Sequence, residues 1–165
     1  MIKSLRDAVI PAVDPANKMA VEQAHLIATT LELVASRLAL QYRYDRDELV
    51  HLTRTVDRLL DASGNGPAAT ALAAANNEAK RVVKGACTAP DELENAILSL
   101  REKVGAVVAE VDDSLVSDPR SGIGAIILDA ARVQIEKERS WLISMGFEPE
   151  PAAIPAIETL LDPVG

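Results

Sequence analysis

The run from Ala16 to Ser63 contains neither Gly nor Pro, and its first half carries two apolar stripes. At ~100° per residue, Ala20, Ala24, Ile27, Leu31, Val34 and Leu38 fall on one face of a helix, alternating steps of four and three. Met19, Leu26, Leu33 and Leu40 repeat at intervals of seven on the other face. A helix apolar on both sides needs a partner on each, so this segment is either central to its own bundle or a seam between subunits. The second stripe is expected to be buried, with a two-fold dimer contact the favoured arrangement.

Length and composition narrow the remaining possibilities. A chain of 165 residues can bury a continuous core as one domain over 1–165, without disulfides or a structural metal. The single cysteine, Cys87, cannot form an intrachain bridge, and a reducing cytoplasm is the simplest compartment. No family-type local signature surrounds Cys87 to mark it as a nucleophile. The segment 1–13 interrupts its apolar residues with Lys3, Arg6 and Asp7, so it does not read as an export signal. No window approaches the roughly 20 apolar residues of a membrane span. A net charge of −8 argues against a broad phosphate-binding surface and hence against DNA as a partner, and 2% aromatic residues leave almost no platform for stacking bases.

Capping and breaking signals divide the chain into helices. Ile2 to Ile10 reads as helical and stops at Pro11. Asp14 as N-cap and Pro15 at the first helical position open the long helix, which is expected to reach about Tyr42. Residues 41–45 read as a turn, with Asp45 or Asp47 capping a second helix whose apolar face is Leu49, Leu52, Val56, Leu59 and Leu60. The break at Ser63, Gly64, Asn65, Gly66 and Pro67 precedes an alanine-rich helix with Leu72, Ala75, Ala79, Val82 and Ala86 on one stripe. Thr88 and Asp91 resemble a capping pair for a helix bearing Leu93, Ile97, Leu100, Val104, Val107 and Val111, ending near Ser117. Asp118 and Pro119 open a last long helix to Met145, capped by Gly146, with Ile123, Ile127, Ala130, Trp141, Leu142 and Met145 on its apolar arc. Gln134 and Glu138 project into that arc, and Glu138 is expected at its edge, reaching water. Residues 147–165, with Pro149, Pro151, Pro155 and Pro163, read as a strap. The fold class is all-α: an up-and-down helical bundle of four to five main helices with a Pro-rich C-terminal strap.

The chemistry that such a chain could carry centres on its two histidines. Each follows a glutamate by three residues, Glu22 to His25 and Glu48 to His51. Ferritin-like metal-binding bundles use two such pairs to hold two ions. However, Glu22 and His25 turn about 150° away from the main stripe of their helix at ~100° per residue. With ~1.5 Å rise per residue, the two histidines also stand at different heights about the intervening turn. Two surface polar pairs, with no bound metal or other cofactor, are therefore the expectation.

His51 carries two further readings. Arg46, Asp47 and His51 spell R-D-x-x-x-H, which resembles the short motif of the HEPN ribonucleases, helical domains whose paired motifs form an RNA-cleaving site across a dimer. That resemblance would give Arg46 the developing phosphorane charge and His51 the proton. The motif of that family lies late in the domain, whereas here it lies in the second main helix. His51 and Arg54 are similar to a histidine phosphotransfer site, except that Thr55 stands where that family places Gly. Against both, an Arg and a His facing solvent near a helix start is the plain alternative. Gly122 and Gly124 form a G-x-G with no preceding strand, which reads as close packing at a helix start.

The chain is thus expected to act by binding, first to itself as a homodimer through Met19, Leu26, Leu33 and Leu40. Alanine-rich walls beside large aliphatic residues could also leave room for a small apolar ligand.

Overall fold

Leu38, Ala39 and Leu40 form a turn in which the Leu40 N–H donates to the Arg37 carbonyl (2.8 Å), and this turn splits the Gly- and Pro-free run in two. The computed structural model describes residues 1–85, 88–110 and 122–162. Its α-helices are α1 (Ile2–Ser4), α2 (Lys18–Arg37), α3 (Gln41–Ser63), α4 (Pro67–Lys84), α5 (Pro90–Glu110), α6 (Gly122–Trp141) and α7 (Ile157–Leu160). Among the described residues there is no strand, and no helix is long and apolar enough to cross a membrane. The turn falls before the polar cluster at 41–45 and not within it. Within that cluster Arg43 and Tyr44 find partners distant in sequence, which favour helix there.

The chain divides into two compact units, one of residues 1–41 and 137–160, the other of 42–136 and 161–165. In the first, α1 runs on through a π-helical turn (Leu5–Val9) and a 3-10 turn (Ile10–Ala12), and Arg6 pairs with Glu32 of α2 at 2.6 Å. The start signal is displaced from the one expected. Asp14 Oδ1 accepts from the Ala16 N–H (3.0 Å) in a local turn, and Asn17 caps α2 by accepting from the Ala20 N–H (3.1 Å). The buried line of α2 is also displaced. Ala28 is its buried residue, 1% exposed, whereas Ile27, Val34 and Leu38 of the expected core stripe are 54, 55 and 74% exposed. One step of ~100° separates Ile27 from Ala28, so a neighbour seated over Ala28 leaves the larger aliphatic residues open.

At the end of α6 the same unit is fastened by polar contacts. Arg37 donates to the carbonyls of Trp141 (3.0 Å) and Ser140 (3.1 Å), with its guanidinium 5.5 Å from the centre of the indole ring. Ser140, 1% exposed, donates to the Pro155 carbonyl (2.7 Å). The α-helix stops at Trp141, a 3-10 turn covers Ile143–Met145, and Gly146 takes the left-handed conformation (φ +76°) that the expected C-cap requires. The following segment has one 3-10 turn (Pro151–Ala153) and the single turn of α7, where Ile157 is buried.

The second unit is built around α3. Leu49 and Val56 join Leu72 and Ala79 of α4 and Leu93 and Leu100 of α5 in one cluster, while Leu59 packs with Ile123 and Ile126 of α6. Each of these leucines contributes about 1.5–3 kcal/mol by leaving water. Pro67 sits at the start of α4 as expected. The expected Thr88–Asp91 pair is replaced by a different one. Thr88 Oγ1 donates backward to the Val82 carbonyl (2.8 Å), closing α4, and the carboxylate that reaches back to cap α5 is Glu92, accepting from the Ala89 N–H (3.1 Å). Cys87, the Asp118–Pro119 start signal, the end near Ser117, Pro163 and the stripe residues Ala86 and Val111 lie outside the described residues.

Candidate functional site

Helix α3 buries residues around most of its circumference: Leu49, Val56 and Leu59 with apolar partners, and Asp47, Glu48, Thr53 and Thr55 among polar ones. Thr53 and Thr55 satisfy their hydroxyls within the helix, on the carbonyls of Val50 (2.8 Å) and His51 (3.0 Å). The charged groups reach outward. Glu48, 7% exposed, pairs with Arg101 of α5 at 2.6 Å. Asp57 accepts from both Asn76 (2.8 Å) and Lys80 (2.6 Å) of α4, with Asn76 itself 2% exposed. Arg58 reaches Asp129 of α6 at 3.2 Å, and Tyr44 Oη accepts from Gln134 (3.2 Å). Of these charges Glu48 is the buried one, and without its partner that burial would be costly; the Asp57–Lys80 and Arg58–Asp129 pairs are half exposed and add little.

A further set lies along one line of α3. At ~100° per residue, Arg43, Asp47 and Arg54 fall within about 40° of one another. Arg43 donates to the carbonyls of Leu161 and Asp162, the latter at 3.0 Å. Asp47, 6% exposed, accepts from the Asp162 N–H (2.8 Å), and Arg54 stands 3.5 Å from the Asp162 carboxylate. Sequence reasoning missed this clasp. The spacing of the three charges on one face was readable, but their partner lies more than a hundred residues away.

The expected chemical pairs are used differently. Arg46 and His51 are five residues apart, which turns them about 140° from each other at ~100° per residue. Arg46 points to the Val83 carbonyl (3.5 Å), and Asp47 of the same motif holds the tail. His51 is half-buried with Nε2 closed to solvent, so the reading of it as a solvated residue is corrected. That closed nitrogen is also unsuited to meeting an incoming phosphate. Glu22 and His25 are exposed on α2 in the first unit, whereas Glu48 and His51 lie on α3 in the second. Among the described residues, no three or more His, Cys, Asp or Glu side chains gather in a group that could hold a metal ion.

Of the four seam residues, Met19 is 74% exposed and Leu26 45%, while Leu33 and Leu40 are half-buried. Glu138 is exposed, at the edge of its arc, and the neighbouring Lys137 is the charged residue of α6 that is buried. Gly122 and Gly124 lie in the first turn of α6, where Gly122 faces the Ala62 methyl of α3.

A groove of about 520 Å³ opens between α4 and α5. Ala75, Ala79, Val82 and Ala96 form its apolar wall. Its charges are already engaged, Arg81 with Glu78 and Glu92 with the Ala89 N–H. No family model, curated protein or solved structure shows significant similarity to this chain. Fold and site together define an all-α protein whose buried polar groups tie helices to one another.

Proposed function

We propose that this chain is a non-catalytic interaction protein that associates with a second copy of itself through α2, as a homodimer. The observation that carries this reading is the open apolar arc of that helix and the turn behind it: Met19, Leu26, Ile27, Val34 and Leu38 are each between 45 and 74% exposed. At ~100° per residue these five positions lie within an arc of about 120°, from Leu38 round to Leu26, the width by which a helix normally meets its core. These side chains leave on the order of 500 Å² of apolar surface, a large part of the roughly 800 Å² per partner of a standard interface. The acidic charge favours a protein partner over DNA, and a lone cysteine suits a reducing cytoplasm.

Leu26→Glu tests the reading by light scattering and thermal melting. The wild type is expected to be a dimer and the variant a folded monomer, because the charge is desolvated only on association. A monomeric wild type, or a variant that remains dimeric, would overturn the proposal.

The α4–α5 groove supports a second binding role, for a small apolar ligand, since its volume lies in the roughly 300–1,000 Å³ range of such sites and its wall is alanine-rich. Anilinonaphthalene sulfonate is the probe. Its fluorescence is expected to rise on binding the wild type and to be lost in Ala75→Phe, which fills the groove; equal fluorescence in both would reject this role.

A further inference from the structure

We propose that the Arg43–Asp47–Arg54 face of α3 is a peptide-recognition site for an apolar–acidic pair presented just past a helical turn. In this structure it is filled by the chain's own Leu161–Asp162, and it accepts the same segment of a second copy. The contacts are those by which a peptide main chain is read. Arg43 donates to two successive carbonyls, Leu161 and Asp162, and Asp47 accepts the Asp162 N–H. Main-chain bonds of this kind supply affinity whatever the origin of the segment, and side-chain contacts supply selectivity.

Two features supply that selectivity. Leu161 is an anchor only 4% exposed, and Arg54 stands by the Asp162 carboxylate at 3.5 Å. Asp47 adds the argument that the site is built for its occupant. A carboxylate 6% exposed must be hydrogen-bonded, and here one of its oxygens accepts from the Asp162 main-chain amide. None of these contacts distinguishes the chain's own tail from the tail of another copy. The tethered segment adds to them effective concentration, on the order of millimolar for a short link, and the anchorage of Pro155 and Ile157 just before it. Loosening the tethered tail therefore opens the site to one supplied in trans.

The test uses the full chain and a fluorescein-labelled peptide of residues 155–162, read by fluorescence anisotropy, with circular dichroism confirming the fold. Leu161→Lys, which expels the tethered anchor, is expected to bind the peptide about tenfold more tightly than the wild type. Adding Arg43→Ala should weaken that binding about tenfold, the effect of losing charge-assisted bonds. Equal affinity in wild type and Leu161→Lys, or binding indifferent to Arg43, would overturn the proposal. Should Leu161→Lys not fold, Asp162→Ala takes its place: it keeps the anchor and drops the Arg54 bridge, and tighter peptide binding than in the wild type is expected, with no change counting against the site. Leu26→Glu, which tests the α2 interface, is expected to leave peptide binding unchanged, so the two proposals stand or fall separately.

Discussion

A carboxylate held by two guanidinium hydrogen bonds resists protonation, and Glu148 is so held by Arg139 at 2.8 and 2.9 Å. The Arg139 hydrogen bonds draw its pKa below the ordinary glutamate value, partial desolvation opposes them, and the charge of Arg139 adds to the lowering. A depressed carboxylate pKa contributes stability that is present above the unfolded value and disappears as pH falls through the folded one. Glu148→Gln is therefore expected to melt below the wild type at neutral pH, and the gap should narrow and close on acidification below the ordinary glutamate range. Thermal melts across that range check this, and a gap independent of pH would contradict it. A second asymmetry belongs to the buried pair. Glu48 is enclosed while the Arg101 side chain is 51% exposed, so removing the arginine strands a buried charge, whereas removing the charge strands nothing comparable. Arg101→Ala is expected to cost more stability than Glu48→Gln, by about 1–3 kcal/mol in urea unfolding.

At the scale of the element, α4 shows how much can rest on one side chain. Its stripe is alanine, which permits close approach but removes little area from water, and Leu72 is its one large aliphatic residue with no exposure. Leu72→Ala is expected to destabilise the chain by about 2–5 kcal/mol, against no more than about 0.5 kcal/mol for Leu98→Ala on the open side of α5, where the side chain is 54% exposed. Denaturant midpoints compare the two directly, and similar shifts would refute the assignment of the core. Helix α3 presents the reverse case. Its polar start resembles a turn when read locally, since Gln41 to Asp47 carries little apolar pattern. Yet Arg43, Tyr44 and Asp47 each meet a partner distant in sequence, and those bonds favour helix where propensity is neutral.

For the whole molecule, the proposed α2 interface would couple stability to concentration. If two copies bury it, dissociation accompanies unfolding and Tm rises with protein concentration. The wild type is expected to show that rise and Leu26→Glu to lack it, as differential scanning calorimetry over a range of concentrations would reveal. A wild-type Tm independent of concentration would count against the α2 interface even if both chains fold.

Sequence alone determined the helical class and most of the breaks, because these depend on local causes. Gly64 supplies a positive φ of 72°, Pro67 starts a helix, Gly146 ends one in the left-handed region, and aliphatic residues at steps of three and four mark Leu93, Ile97, Leu100 and Val107 as core. What tertiary structure decided was which helix is enclosed and what its charges do. Apolar lines on two sides pointed to α2, but a helix acquires burial only from neighbours, and the residue covered there is small Ala28. The helix enclosed around most of its girth is α3, whose Asp47 read as a cap and Glu48 as half of a surface pair, while Asp57 carried no signal. Their partners, Asp162, Arg101, Asn76 and Lys80, are brought to them by the chain's return and not by any periodicity, so no local pattern could announce the pairing.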